Sequence, residues 1–263
     1  MKPQRITFGR MYPNAGYQAK FRREIRRLIK AMRIDTQREL KALSSELIQD
    51  APITLTEIMA RLRLRWYKIF EKRAREMSRW LVETVKKRTR KDIMNQLKKI
   101  GMALEPHYTD TQDKMFSVFV EETTSLIKTI PQKFLRTVQD EIREAAEKGD
   151  RAAIKELIES EFDSPLVRTT EQAERRAELI AQDQVQKVTQ EYARENAKAY
   201  GATKAEWIHI PGEKSSRITH MEMDGKEFDI DVGLYDSDVG EYVKPAQLIY
   251  CRCTQAFIFP GTE

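Results

Sequence analysis

Residues 55–101 read LTEIMARLRLRWYKIFEKRAREMSRWLVETVKKRTRKDIMNQLKKIG, and the spacing of apolar side chains in this stretch decides the fold. Leu55, Ile58, Met59, Leu62, Trp66, Ile69, Phe70, Met77, Trp80, Leu81, Val85, Ile93, Leu97 and Ile100 recur mostly at three- and four-residue steps, which return to one side of an α-helix. They predict one long amphipathic helix with a single apolar stripe. Asp50-Ala51-Pro52 breaks the run before it and restarts it, because proline is tolerated in a first helical turn. Gly101 is placed to end it. Trp66 and Trp80 stand two heptads apart on nearly one face, which favours helix–helix packing over base stacking.

Working outward, residues 1–16 contain Gly9, Pro13 and Gly16 and read as an extended or disordered leader. Residues 17–48 keep helical spacing through Phe21, Ile25, Leu28, Ile29, Met32, Leu40, Leu43 and Leu47. Downstream, residues 110–130 predict a helix stopped by Pro131, which then opens a second helix through Glu147, closed by Gly149. A short helix is expected over 151–161 and an interruption at Ser164-Pro165. The last long helix is expected from Glu171, capped by Thr169 or Thr170, to Tyr200 and Gly201. Beyond Gly201 the texture changes. Glu206-Trp207-Ile208-His209-Ile210 and Thr254-Gln-Ala-Phe-Ile-Phe read as strands, and Asp224-Gly225 as a turn. The expected fold is therefore mainly α: long helices form an arm and a stem, with a small C-terminal α+β or β-rich module. The corresponding domains are a basic helical arm at 1–105, a helical middle region at 106–168 and a C-terminal domain at 169–263.

Charge separates the same parts. Residues 1–105 hold 27 Lys and Arg against 11 Asp and Glu, whereas residues 106–263 hold 20 against 30. A cationic limb of that length suits a polyanion or an acidic protein surface, because counterion release rewards clustered Lys and Arg regardless of sequence. Its densest cluster is Lys86, Lys87, Arg88, Arg90 and Lys91, the candidate contact with nucleic acid or such an acidic surface. A solvated helix face is the competing account of the same residues. The limb carries no RNA-binding aromatic signature, no Cys/His finger and no helix-turn-helix pattern, which argues against reading base sequence. Of the 263 residues 40% are hydrophobic and 33% charged, and the mean hydropathy of −0.64 fits long solvated helices better than a thick-cored enzyme. No window resembles a membrane span, and the opening Met1-Lys2-Pro3-Gln4-Arg5 runs into charge rather than a secretory signal. Two cysteines cannot staple a chain of this length.

Those cysteines carry the most specific chemistry. Cys251 and Cys253 stand at i, i+2, so in extended chain both sulfurs face one way. A disulfide across one residue is strained, and paired thiolates holding a metal are the sharper possibility. Zinc is the candidate, with His220 as third ligand and His209 or an Asp as fourth. Two buried thiols beside a structurally hydrogen-bonded histidine remain the alternative. Arg217, Asp224, Gly225 and Arg252 surround them in sequence: Asp224-Gly225 suits a tight turn, and Arg217 suits a salt bridge within the module. No Ser-His-Asp order, phosphate loop or HExxH pattern is present.

Taken together these residues resemble a family. Arg176-Ala177-Glu178-Leu179-Ile180-Ala181-Gln182-Asp183-Gln184, then Tyr200-Gly201 and Glu206-Trp207, then Arg217 and His220, Asp224-Gly225-Lys226 with Phe228, and Cys251-Arg252-Cys253 resemble the phage Mu F-like minor head proteins over roughly residues 170–260. Two positions depart from the family pattern: Glu213-Lys214-Ser215-Ser216-Arg217 replaces its Asp-x-Arg-Val-Arg, and Tyr250 stands where Asn is usual. The resemblance implies a non-enzymatic minor capsid protein of head morphogenesis. It would be made in the host cytoplasm, lie inside the head near the portal, and aid assembly, DNA packaging or ejection. The implied partners are the portal protein, packaged double-stranded DNA and further copies of the chain. A zinc-dependent hydrolase or toxin-like module centred on His220, Cys251 and Cys253 is the competing function.

Overall fold

The computed structural model describes residues 6–7, 11–44, 51–99, 101, 105–107, 110–148, 164–211 and 216–259. Among these residues four long helices precede a small β-rich module: α1 (Ala15–Ser44), α2 (Ala51–Lys99), α3 (Thr111–Glu147) and α4 (Pro165–Ala199). A strand, β1 (Ile6–Thr7), comes before them. After them come β2 (Lys204–Ile208), the short helix α5 (Ile218–Glu222), β3 (Glu227–Asp229), β4 (Leu234–Asp236), β5 (Glu241–Val243) and β6 (Thr254–Phe259). By proximity the chain divides into two compact units, neither continuous in sequence. One comprises Met1–Gln18, Arg79–Val120 and Gln182–Glu263, and the other Ala19–Ser78 and Glu121–Ala181. The expected helix at 151–161 and the stop at Gly149 lie outside the described residues.

The second unit is helical. Phe21, Ile25, Ile29, Met32 and Leu40 of α1 are buried, as are Leu55, Ile58, Met59, Leu62, Trp66 and Phe70 of α2. Trp66 is turned inward, edge-on to Phe70, with its indole N–H donated to Asp35 at 2.9 Å. It is core, not a platform for bases. The apolar pattern of α2 differs from one straight stripe. From Leu62 to Leu97 its buried positions step mainly by four, and each such step advances the face by roughly 40°. The buried side therefore winds around the helix.

Three punctuation marks work differently from their sequence expectation. Pro131 neither stops nor opens a helix, since α3 runs through it from Thr111 to Glu147. Proline inside a helix costs about 3 kcal/mol, but Pro131 is buried in a stripe with Ile127, Ile130, Phe134, Leu135 and Val138, and their burial at about 1.5–3 kcal/mol each outweighs that cost. Ser164-Pro165 begins α4 instead of interrupting it: the Ser164 hydroxyl accepts the Val167 N–H at 3.3 Å, and proline occupies the first helical position. Thr169 and Thr170 consequently sit inside the helix, where the Thr170 hydroxyl donates to the Leu166 carbonyl at 2.7 Å. At the other end Gly201 closes α4 as expected. Its N–H reaches the Lys198 carbonyl at 2.8 Å and the Ala202 N–H reaches the Ala197 carbonyl at 3.0 Å.

The first unit holds the β-rich module. Its main sheet is antiparallel in the order β1-β6-β2-β3, and β4 pairs with β5 separately. Central β6 pairs Ala205 with Phe257 and Trp207 with Gln255, and buries five of its six residues. The leader is extended at Ile6–Thr7, an edge strand paired with Phe259 and Ile258. Behind β6, α4 supplies polar contacts as well as apolar ones. Gln190 Nε2 donates to the Met11 carbonyl at 2.6 Å, and Gln255 Nε2 donates to the Gln190 carbonyl at 3.0 Å. Buried Arg194 reaches Glu191 at 2.5 Å, with Gln255 Oε1 and the Pro245 carbonyl both at 3.4 Å. Trp207, Phe228, Phe257, Phe259, Tyr200, Ile93 and Leu97 form the apolar core of this unit with Cys251 and Cys253.

Candidate functional site

The two cysteines reach one point from a short segment between β5 and β6. Tyr250, ahead of Cys251, adopts φ 61°, and its N–H is held by Asp183 of α4 at 2.6 Å. Gln186, one helical turn on, donates to the carbonyls of Arg252 at 3.0 Å and Cys253 at 2.8 Å. This segment is thus bound along its backbone to α4, and both sulfurs turn into the core. His220 enters from α5. Its Nδ1 lies 3.4 Å from Cys251 Sγ and 3.6 Å from Cys253 Sγ, and all three residues are buried. The metal ligands named from sequence are therefore together, with donor atoms within 4.8 Å of one another.

Neighbours orient the cluster. Asp236, at the end of β4 and fully buried, lies 3.1 Å from His220 Nε2, while its other oxygen accepts the Asp238 N–H at 3.0 Å. With Nε2 protonated towards Asp236, Nδ1 presents a lone pair to the sulfurs. Trp207 packs edge-on against the imidazole, ring centroids 5.1 Å apart. The Ala246 N–H points at Cys251 Sγ from 3.4 Å. His209, just past β2, sets its Nδ1 3.6 Å from Cys253 Sγ. The sulfurs do not titrate alike. Cys253 acts first on Cys251, donating its thiol hydrogen bond; with His220 and the Ala246 amide, that outweighs burial and holds Cys251 well below the usual thiol range. The Cys251 thiolate in turn pushes Cys253 up, with burial adding to it. Burial opposes a charge on His220, yet Cys251 and Asp236 more than offset it and raise its pKa.

The remaining motif residues hold backbone. Asp224 accepts the His209 N–H at 2.7 Å. Gly225, at φ 74°, donates its N–H to the Trp207 carbonyl at 2.9 Å, and the Trp207 N–H returns to the Lys226 carbonyl at 2.8 Å. The Asp-Gly turn therefore fixes the end of β2 and the histidine that follows. Arg217 donates to the Ile249 carbonyl at 3.0 Å, a backbone contact where the sequence suggested an ion pair. Arg252 contributes its carbonyl to Gln186 while its side chain is exposed. Asp236, Gln186 and Ala246 carry no motif that singles them out; only the folded chain shows their part.

The basic cluster on α2 splits. Lys86 pairs with Asp113 at 3.1 Å, and Arg88 pairs with Asp92 at 3.2 Å while its guanidinium lies 5.9 Å from the centroid of the Tyr17 ring. Lys87, Arg90 and Lys91 are exposed, and with exposed Lys98 they follow helical spacing along one face.

A comparison with family models matches residues 136–256 to the family described as Phage Mu protein F like protein. No curated protein and no solved structure matches the chain. The matched residues run from within α3 through α4 and the β-rich module into β6, and they contain every motif residue described above. Over residues 136–256, just under half of its length, this chain is similar to the phage Mu F-like family.

Proposed function

We propose that this chain is a non-enzymatic minor component of a phage head that works by binding, its C-terminal module serving as a rigid docking body and its basic helix as a contact for polyanions. The phage Mu F-like family suggests a head morphogenesis protein. The observation that carries the binding role is the use made of the motif residues. Asp224, Gly225, Arg217 and Arg252 each contact backbone and brace the segments that bear His209 and the two cysteines. Helix α2 supports the polyanion contact, with fifteen Lys and Arg against five Asp and Glu. Packaged DNA and an acidic surface of the portal are the two partners that such a face fits, inside the virion.

Titrating the full chain with a DNA duplex and with purified portal, each at two salt concentrations, tests this. Expected is affinity that falls steeply with salt and ignores base sequence. A Lys87→Gln, Lys91→Gln, Lys98→Gln variant should flatten the logarithmic salt slope for DNA by about 0.9 for each phosphate it no longer neutralises. Binding to neither partner, or turnover of a phosphodiester or peptide by the purified chain, overturns the proposal.

A further inference from the structure

Three donor atoms at the centre of the module, on His220, Cys251 and Cys253, lie within 4.8 Å of one another, and His209 stands outside that group beside Cys253. Zinc binds thiolate sulfur at about 2.3 Å and imidazole nitrogen at about 2.0–2.1 Å, so a tetrahedral ion separates adjacent S and N ligands by about 3.5–3.6 Å. The three sulfur–imidazole distances here are 3.4 Å for Cys251 to His220, 3.6 Å for Cys253 to His220 and 3.6 Å for Cys253 to His209. Cys253 thus meets both histidines at the edge length of such a tetrahedron, and Cys251 meets His220 at nearly the same length. We propose that Cys251, Cys253 and His220 hold a structural zinc ion and that His209, already beside Cys253, moves in as the fourth ligand to close the site.

Three further observations fit that assignment. Two sulfurs and two imidazoles are a donor set that selects zinc among the common divalent ions, and two thiolates neutralise its charge in a buried place. The Asp236 carboxylate on His220 Nε2 is the outer partner that fixes a ligating imidazole and raises its basicity. The Ala246 N–H directed at Cys251 Sγ supplies the hydrogen bond that a metal thiolate accepts. His220, Cys251 and Cys253 are buried while His209 is half-buried, so an ion enters from the His209 side. Four protein ligands leave no position for a water or substrate, which makes the ion a staple and not a catalyst. The module shares its core with α2 and α4, and such a staple ties β2, α5 and the segment before β6 together.

The proposal stands apart from the head-assembly reading, since metal content and polyanion binding are separate measurements. The full chain, purified under reductant without chelator, should carry close to one zinc per chain by elemental analysis. Replacing zinc by cobalt should give the intense visible bands of a tetrahedral ion together with a near-ultraviolet thiolate charge-transfer band. His209→Ala should alter the cobalt bands and weaken zinc at least tenfold, and Asp236→Asn should weaken it by about 10–100-fold. Exposed His107 is the control, and His107→Ala should leave both readouts unchanged. Wild-type protein without zinc and without tetrahedral cobalt bands overturns the site. Full zinc affinity in His209→Ala overturns its closure, and reopens the hydrolase alternative by leaving a coordination position vacant.

Discussion

At the scale of single residues, the module depends on backbone positions as much as on side chains. Gly225 and Gly233 both have positive φ, 74° and 93°, yet they are not equivalent. A Cβ at Gly225 meets nothing within 4 Å, whereas one at Gly233 falls 2.3 Å from the Val243 carbonyl oxygen. Gly225→Ala should therefore cost only the conformational term, about 1–2 kcal/mol. Gly233→Ala adds a clash with backbone that cannot swing aside, so it should cost clearly more and disturb the β4–β5 pair. Urea denaturation of the two variants, compared on the same chain, checks the order. Arg194 is a second case. It is buried and bound by Glu191, Gln255 and Pro245, and removing one member of a buried charged pair costs about 3–5 kcal/mol. Because Glu191 is partly exposed, Arg194→Ala should fall at or below the lower end of that range, again read from urea midpoints.

At the scale of the element, helix α3 shows local propensity overruled by packing. Pro131 lacks an N–H to donate, and the helix persists because apolar positions on both sides of it are buried in register. Pro131→Ala restores the hydrogen bond at the expense of some ring contact, and should raise stability by about 1 kcal/mol in thermal or urea unfolding. The same helix carries a carboxyl in an unfavourable place. Glu141 Oε2 is buried with no hydrogen-bond partner among the described residues, and burial raises its pKa above the usual carboxylate range, although Arg168 pulls the other way. A raised carboxylate pKa means that the ionised form is penalised in the folded chain. The penalty is present in full above the folded pKa and disappears as pH falls below the unfolded value. Glu141→Gln should thus stabilise the protein at neutral pH and lose that advantage in acid. Equal gain at both pH values would contradict this account.

At the scale of the whole molecule, charge and fold are distributed differently. Many α2 cations are already engaged: Arg65 with Asp35, Arg75 with Glu121, Lys86 with Asp113 and Arg88 with Asp92. Exposed pairs of this kind contribute roughly 0–1 kcal/mol each, so they do little for stability but do reduce the charge offered to a partner. The salt slope for DNA should accordingly reflect the outward set around Lys87, Lys91 and Lys98 more than the full fifteen. Replacing Lys86 and Arg88 by Gln should change that slope less than replacing Lys87 and Lys91, as measured by the duplex titration.

Helices were legible because their signal is local. The 3–4 spacing of Phe21, Ile25 and Ile29, or of Leu62, Trp66 and Phe70, is visible within a few turns, and the β6 hexapeptide and the Asp224-Gly225 turn are equally self-contained. The Cys251-x-Cys253 spacing with His220, and the motifs of the phage Mu F-like pattern, could likewise be read in order along the chain. What required the tertiary structure are the pairings between distant segments. Ile6–Thr7 becomes a strand only because Phe259 and Ile258 are there to pair with it. Asp236 orients His220 only because β4 returns beneath α5, and His209 reaches Cys253 only because Asp224 and the turn after α5 hold the end of β2. Periodicity records which side of its own element a residue occupies. Which other element meets that side is settled by burial and hydrogen-bond satisfaction over the whole unit, and no window of sequence contains both partners.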